Sequence, residues 1–278
     1  VRAYLAEFLA DPRVVELPRW LWLPILHGIV LRKRPAQSAQ KYAKVWTPEG
    51  SPLAVHTRKQ ATLLHEATGL PVEYAMRYGE PSIAGVLHRL PGKVRVVPLY
   101  PQYARSTAES IRDVVGSKMD FVEQFHDHPG YIAALAALVQ DRPDVLVMSF
   151  HGLPQRAVER GDPYRAQCER TARLLAEALQ LKPGEYRVTF QSRFGPARWL
   201  QPYTAEVLAQ LGAQRTRRVH VICPGFVADC LETLEEIAIE GKKTFLDAGG
   251  GEFRALPCLN ESPRWIAALK DIATRSSS

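Results

Sequence analysis

Four carboxylates, Asp229, Glu232, Glu236 and Glu240, stand 3, 4 and 4 residues apart in a stretch that opens Cys223-Pro224-Gly225-Phe226-Val227. On an α-helix that spacing lines them along one face. Like charges so placed repel one another, so helix propensity does not account for the row. A positive partner would: a metal ion, protons in transit, or a basic surface. Without one, the row is a solvated acidic face. A second group with chemistry to offer is His151, in Ser149-Phe150-His151-Gly152-Leu153-Pro154, where an apolar run ends. Such a place at the floor of a cleft suits an imidazole that accepts a proton or binds a metal. Ser149 lies two residues earlier on the same strand face, but a serine nucleophile needs a sharp Gly-x-Ser-x-Gly elbow, which the chain lacks.

The elements that must position these groups follow from the pattern. Short β-branched runs at 72–76, 94–99, 145–150, 187–190 and 219–222 alternate with helical stretches at 1–9, 57–68, 131–140, 162–179, 204–210, 228–240 and 263–273. That alternation predicts an α/β fold with a mainly parallel sheet. In open α/β sheets ligands sit at the carboxyl ends of the strands. Here those ends carry Arg77-Tyr78, Tyr100 to Tyr103, Ser149 to His151, Gln191 to Arg193 with Trp199 beyond, and the acidic helix. One cleft is therefore expected, with an imidazole opposite carboxylates and walls of Tyr, Trp and Arg. Aromatic walls suit a large planar ligand, and Arg suits its carboxylates. Nitrogen and oxygen donors suit a first-row divalent ion, and the loose spacing suits transit more than a closed site. Segment 120–130, ending His126-Asp127-His128-Pro129-Gly130, is the expected crossing between two halves. Ala248-Gly249-Gly250-Gly251 lacks the spacing of a phosphate or dinucleotide loop and is expected to be a flexible turn.

Composition narrows the class. The 278 residues carry 46% hydrophobic and 23% charged residues, as a soluble globular protein does. The net charge of +7 suits anionic ligands. The basic clusters Arg32-Lys33-Arg34 and Arg215-Thr216-Arg217-Arg218 are short, and no nucleic-acid recognition motif accompanies them. Cys168, Cys223, Cys230 and Cys258 show no Cys-x-x-Cys spacing and are expected to be reduced thiols. No apolar run reaches membrane-spanning length, since the richest, 17–31, is broken by Pro18, Arg19, Pro24 and His27. Its Trp20 and Trp22, followed by basic residues, are candidates for resting on a membrane surface, for framing a pocket mouth, or for ordinary packing.

The motifs of the strand ends, with Gly161-Asp162-Pro163-Tyr164, Asp11-Pro12-Arg13-Val14-Val15, Trp46 to Pro52, Met76 to Gly79 and Leu99 to Tyr103, run in one order over nearly the whole chain. Together they resemble the ferrochelatases of bacterial type. The resemblance implies two Rossmann-like, chelatase-type halves with parallel sheets flanking a central cleft. These fall at 1–128 and 129–278, with the last helix packing back on the first half. It implies insertion of ferrous iron into protoporphyrin IX or a related porphyrin, with Fe²⁺ as substrate and no permanently bound cofactor. It implies a cytoplasmic enzyme, with peripheral contact at the inner membrane face through Trp20 and Trp22 and no nucleic-acid partner. The family's histidine falls on His151 and its metal-side glutamate on Glu232, these two being the catalytic pair. Further metal-path acids fall on Asp229, Glu236 and Glu240. Porphyrin-lining positions fall on Arg34, Tyr42, Ser51, Arg77, Tyr78, Tyr100 and Trp199. There are departures. The family's opening strand and Gly-Thr-Pro loop do not precede Val1, which points to a sequence that begins inside a domain. Tyr103-Ala104-Arg105-Ser106-Thr107 replaces the usual Ser-Cys-Ser-Thr kind of stretch. The cysteines that hold an iron–sulfur centre in some members have no counterpart, so no cluster is expected. A chelatase for another metal or tetrapyrrole, and a porphyrin- or haem-binding protein without catalysis, stand as alternatives.

Overall fold

Residues Val145 to Phe150 are buried without a break, as a parallel strand covered on both faces requires. In the computed structural model, which describes residues 1–195 and 197–275, this strand is the centre of the larger sheet. Along the chain the elements are α1 (Arg2–Ala10), α2 (Arg19–Ile25), a π-helical turn (Leu26–Val30), α3 (Leu31–Ala43), α4 (Pro52–Thr68), α5 (Ile83–Leu87) and β1 (Arg95–Val96). A second π-helical turn (Arg105–Glu109), α6 (Ser110–Val115), β2 (Asp120–Phe121), α7 (Pro129–Ala136), β3 (Val145–His151), α8 (Gln155–Glu159), α9 (Tyr164–Ala178) and β4 (Tyr186–Gln191) follow. The last elements are α10 (Thr204–Ala213), β5 (Arg218–Ile222), a π-helix (Glu232–Gly241), α11 (Lys242–Asp247), β6 (Glu252–Ala255) and α12 (Pro263–Thr274).

The larger sheet is parallel throughout, in the order β4-β3-β5-β6. Alternate side chains of β3 enter different cores. Leu146, Met148 and Phe150 join Tyr131, Leu175 and Trp265 from α7, α9 and α12. Val145 and Val147 join Val207 and Leu211 of α10, Ile237 of the π-helix and Phe245 of α11. The chain leaves β3 for β4 on one side while β5 lies on the other, so the strand order reverses between β3 and β5. The carboxyl end of that reversal is where such sheets open a crevice.

The smaller sheet is the two-residue parallel pair β1–β2, with Arg95 opposite Asp120 and Val96 opposite Phe121. The strand expected at 94–99 thus shrinks to two residues. The one expected at 72–76 does not form; it leaves a single isolated bridge from Met76 to Ser82. A β-branched run becomes a strand only when a neighbour supplies its hydrogen bonds, and among the described residues none does so here. The sequence reading missed β2 and β6. β6 is a four-residue edge strand whose Glu252 and Arg254 alternate with Phe253, and its outer charges pair with Arg218 and Asp141. It follows directly on the Gly-rich turn. α12 packs on α7 and α4, with Lys270 Nζ donating to Ala67 O at 2.8 Å. Leu5, Leu9, Leu26 and Leu31 of α1 to α3 make a small separate core that Phe194, beyond β4, joins.

Candidate active site

β3 ends on His151, whose Cα partner on β4 is Gln191. His151 Nδ1 lies 2.7 Å from the carbonyl oxygen of Gly152. A carbonyl can only accept, so Nδ1 carries the hydrogen, and the ring's remaining lone pair belongs to Nε2. Tyr164 O–H donates to the His151 carbonyl at 3.0 Å, and the imidazole lies 6.3 Å from the ring of Phe226 on the loop after β5. The imidazole therefore stands at the reversal point between β3 and β5. Gly152 is required by contact: a Cβ would come within 2.7 Å of Gln191 O and 3.1 Å of Trp199 Cε3. Ser149 is no nucleophile, because its buried hydroxyl is spent on Gln191 Oε1 at 2.7 Å and on Thr204 Oγ1 at 2.7 Å.

The acidic helix differs from expectation. It begins at Glu232, four residues later than 228, and it is a π-helix of 10 residues, with i→i+5 hydrogen bonding. Residues 223–230 are loop, and the four carboxylates of the row go to four different environments. Asp229 is buried and turned into that loop, accepting from Thr233 Oγ1 at 2.8 Å, Asn260 Nδ2 at 2.7 Å and the Cys258 N–H at 3.3 Å. Glu236 accepts from the Ser192 N–H at 2.8 Å and from the Ser192 hydroxyl. Ser192 manages both with a left-handed backbone (φ 65°). Glu240 pairs with Lys44 at 3.1 Å. The same lysine and Lys41 also reach Glu235, at 3.1 and 2.8 Å. Burial pushes the Glu235 carboxyl up, but the two ammonium groups outweigh it and hold the group below its usual range. So a basic surface does answer part of the row, from α3 across the helix.

Glu232 alone of the four faces the aromatic wall. Burial comes first in pushing the phenol of Tyr42 up to about 12, with the charge of Glu232 next. Tyr4 and Tyr100 are raised by burial too, with Glu232 again contributing. Tyr4 is nonetheless 37% and Tyr100 40% exposed, so part of each residue remains open to a ligand. The thiol of Cys230 is raised by burial and then by Glu232. Sequence reasoning missed Tyr4, whose ring stacks 6.1 Å from Phe8 and lies edge-on 6.3 Å from Tyr78. Its i, i+4 aromatic spacing with Phe8 was the available signal.

The other expected lining residues divide by task. Arg77 and Tyr78 are braced: Asp11 Oδ2 accepts from Arg77 Nη2 at 2.6 Å, Tyr78 O–H at 2.8 Å and Ser110 O–H at 2.6 Å. Arg34 lies 4.8 Å over the ring of Phe194, which in turn packs 5.9 Å from Trp199. Desolvation holds the Arg34 guanidinium below its usual range, and among the described residues no carboxylate ion-pairs with it. Ser51 sits half-buried at the N-cap of α4 with no side-chain cap bond. Trp22 does not match its expected membrane role: its Nε1 donates to Leu9 O at 2.6 Å and its ring packs in the α1–α3 core, while Trp20 is 79% exposed. Residues two apart on a helix point to different faces, so only one of the pair can rest on a surface. Among the described residues no three His, Cys, Asp or Glu side chains converge as a closed metal site.

The same fold recurs in solved structures of low sequence identity. SirB from Bacillus subtilis, solved with Fe³⁺, superposes with TM-score 0.55 at 16% identity over 81% of this chain and 92% of that one. CbiX, the terminal enzyme of sirohaem biosynthesis in denitrifying bacteria, gives 0.56 at 18% identity over 82% and 95%. DR2241 from Deinococcus radiodurans, a multi-domain protein with structural similarity to chelatases, gives 0.53 at 17% identity over 81% and 52%. The fold is of the chelatase type. Sequence narrows this further, since the ferrochelatase family model matches residues 1–277. The ferrochelatase of Chromobacterium violaceum is 54% identical over 98% of this chain and 82% of its own length. Those of Methylibium petroleiphilum (54%, covering 99% and 82%) and Nitrosomonas europaea (53%, covering 98% and 82%) are equally similar. The chain belongs to the ferrochelatase family.

Proposed function

We propose that this chain inserts ferrous iron into a porphyrin to form haem, with His151 and Glu232 on opposite lips of the crevice. The reaction strips water from Fe²⁺ and removes two N–H protons from a flat ring. One observation carries the assignment: the Gly152 carbonyl claims His151 Nδ1, which leaves Nε2 as the ring's acceptor at the strand-order reversal. On this reading Nε2 takes a pyrrole proton, and Glu232 meets the metal from the tyrosine-lined side. Glu236 and Glu240 are the outer steps of a path to solvent, steadied by Ser192 and Lys44. Asp229 is left out of the path because its oxygens are spent on the loop. Tyr42, Tyr100, Trp199 and Ser51 line the ring, and Arg34 is free to meet a propionate. Arg77 and Tyr78 brace the wall. Clamping walls favour a bent macrocycle whose nitrogen lone pairs tilt out of plane, part of the way to the transition state.

The substrate in this reading is protoporphyrin IX; the half at 129–278 supplies both lips, and the half at 1–128 supplies the wall that carries Tyr42, Arg77, Tyr78 and Tyr100. The reading includes no iron–sulfur centre or other resident cofactor; all four cysteines are buried, and desolvation raises each thiol. The setting is cytoplasmic, with a peripheral face at the membrane. Among the described residues no helix is long and apolar enough to cross a membrane, but Leu17, Trp20, Leu21 and Ile29 are exposed beside Arg32 and Lys33. The test is anaerobic Fe²⁺ insertion into protoporphyrin IX followed by absorbance. The wild type metallates the ring, and His151→Ala loses roughly 10²-fold or more in rate, as loss of a general base costs. Porphyrin binding without metallation by the wild type refutes the enzyme reading.

A further inference from the structure

The residue that links the two lips is Gln191, which the sequence marked only as one of several strand-end residues. Its backbone carbonyl accepts from the Gly152 N–H at 2.6 Å, and Gly152 in turn anchors the imidazole of His151. Its side chain runs the other way. Nε2 donates to the backbone carbonyl of Glu232 at 2.9 Å, at the first residue of the π-helix. A carbonyl can only accept, which settles the amide's orientation and directs Oε1 to the Ser149 hydroxyl at 2.7 Å. That hydroxyl continues into a buried run through Thr204 at 2.7 Å and Thr189 at 2.9 Å, so the amide is locked from behind. Gln191 is 4% exposed, Ser149 and Thr189 fully buried. The next residue, Ser192, holds Glu236 one turn further along the same helix.

We propose that Gln191 is a positioning residue for metal insertion, setting His151 and Glu232 in one register across the crevice. This rests on the reading of Glu232 as the metal-side carboxylate. Loop 223–230 separates β5 from the helical turn that opens the π-helix and has no regular secondary structure, so strand pairing alone does not set how deep Glu232 reaches. The amide sets it. Groups that orient a metal-handling residue from behind are typically worth 10- to 100-fold in metal affinity or activity.

The experiment is steady-state Fe²⁺ insertion into protoporphyrin IX, with KM measured separately for metal and porphyrin. The variants are Gln191→Met, Glu232→Gln and the pair combined. Gln191→Met, nearly isosteric but unable to bond, is expected to lower kcat/KM for the metal by roughly 10- to 100-fold while porphyrin KM stays within about two-fold. On the Glu232→Gln background the same change is expected to cost less than about three-fold, because residues acting as one unit are not additive. If Gln191→Met does not fold, Gln191→Glu keeps the acceptor for Ser149, loses the donor to Glu232, and is expected to show the same metal-side loss. The proposal is overturned by near-wild-type metal kinetics in the folded variant, by additive losses in the pair, or by an equal loss on the porphyrin side. Full activity in Glu232→Gln overturns the underlying reading instead. A loss there beside unchanged kinetics in Gln191→Met overturns only the role of Gln191.

Discussion

Replacing Gly152 with alanine adds one methyl group where the structure has no room for it. The new Cβ would lie 2.7 Å from Gln191 O and 3.1 Å from Trp199 Cε3. Neither neighbour yields cheaply, since the carbonyl already accepts from the Gly152 N–H at 2.6 Å and Trp199 donates from Nε1 to Phe194 O at 2.9 Å. Restoring contact distance displaces the end of β3 from β4 by about 0.5–1 Å, and such overpacking typically costs about 1–3 kcal/mol. In a domain somewhat smaller than this one each kcal/mol lowers Tm by roughly 2–4 °C. The imidazole moves with Gly152, because its Nδ1 is bonded to that residue's carbonyl. A misplacement of about 1 Å at a reacting group costs on the order of 10²-fold in rate. The assay is initial-rate Fe²⁺ insertion into protoporphyrin IX, run well below Tm, alongside a thermal melt. Gly152→Ala with wild-type rate and wild-type Tm refutes the packing argument. A lowered Tm with full rate refutes the link from Gly152 to the imidazole and leaves the glycine a matter of folding alone.

Other perturbations have separate readouts. His220 on β5 is 1% exposed with neither ring nitrogen hydrogen-bonded, and burial first, then Arg254, holds its imidazole below the usual range. The unfolded chain therefore binds a proton that the folded chain refuses, and stability falls as pH drops below about 6.5. His220→Leu is expected to raise Tm and flatten that acid-side slope, with a gain of about 1 kcal/mol near pH 5.5, measured by melts between pH 5 and 8. An unchanged slope counts against it. Asp11→Ala strands Arg77, whose side chain is 22% exposed, and is expected to cost about 3 kcal/mol in urea unfolding and to raise porphyrin KM as the Tyr78 wall loosens; an unmoved midpoint rules it out. Ser192→Ala and Ser192→Gly both lose the hydroxyl bond to Glu236, so their rates are expected to match. The glycine variant is expected to be the more stable by about 1 kcal/mol, because φ 65° costs a side chain but not glycine. Equal stabilities in chemical denaturation contradict this.

The sheet that carries the site was legible because residues 145–150 of β3 and 219–222 of β5 are buried, and burial on both faces writes itself into composition, while β4 showed only a short run of Val188 and Phe190 between polar residues. The strand-end rule then led from those runs to His151 and to the loop after β5. Less was legible where the determinant is a hydrogen-bond pattern. The i→i+5 bonding of residues 232–241 leaves the acidic spacing unchanged, so the sequence reads as an α-helix until the backbone is seen. Partners far along the chain were hidden as well. Glu235 and Lys41 are 194 residues apart, and nothing local marks Glu235, which lies outside the acidic row, as a buried acid with lysine partners. The pair Trp20 and Trp22 is a different case: the sequence reading placed no helix there, and once α2 is seen their two-residue separation puts them on different faces of it.

The order β4-β3-β5-β6 has a consequence for what this architecture can vary. β3 and β5 are hydrogen-bonded neighbours, so the lips that hang from their ends start one inter-strand pitch apart, about 4.8 Å. That pitch belongs to the peptide backbone and no side-chain substitution alters it. The roots of the two lips are therefore held at a nearly invariant spacing in this sheet, and how far Glu232 reaches across from its root is left to the Gln191 amide. The wall of α1 to α3 is tied to no such ladder; it rests on a small leucine core and on the brace at Asp11. On the proposed reading, substrate width is a property of the detachable wall, and metal handling is a property of the sheet together with the one amide that reaches from it to the acidic helix.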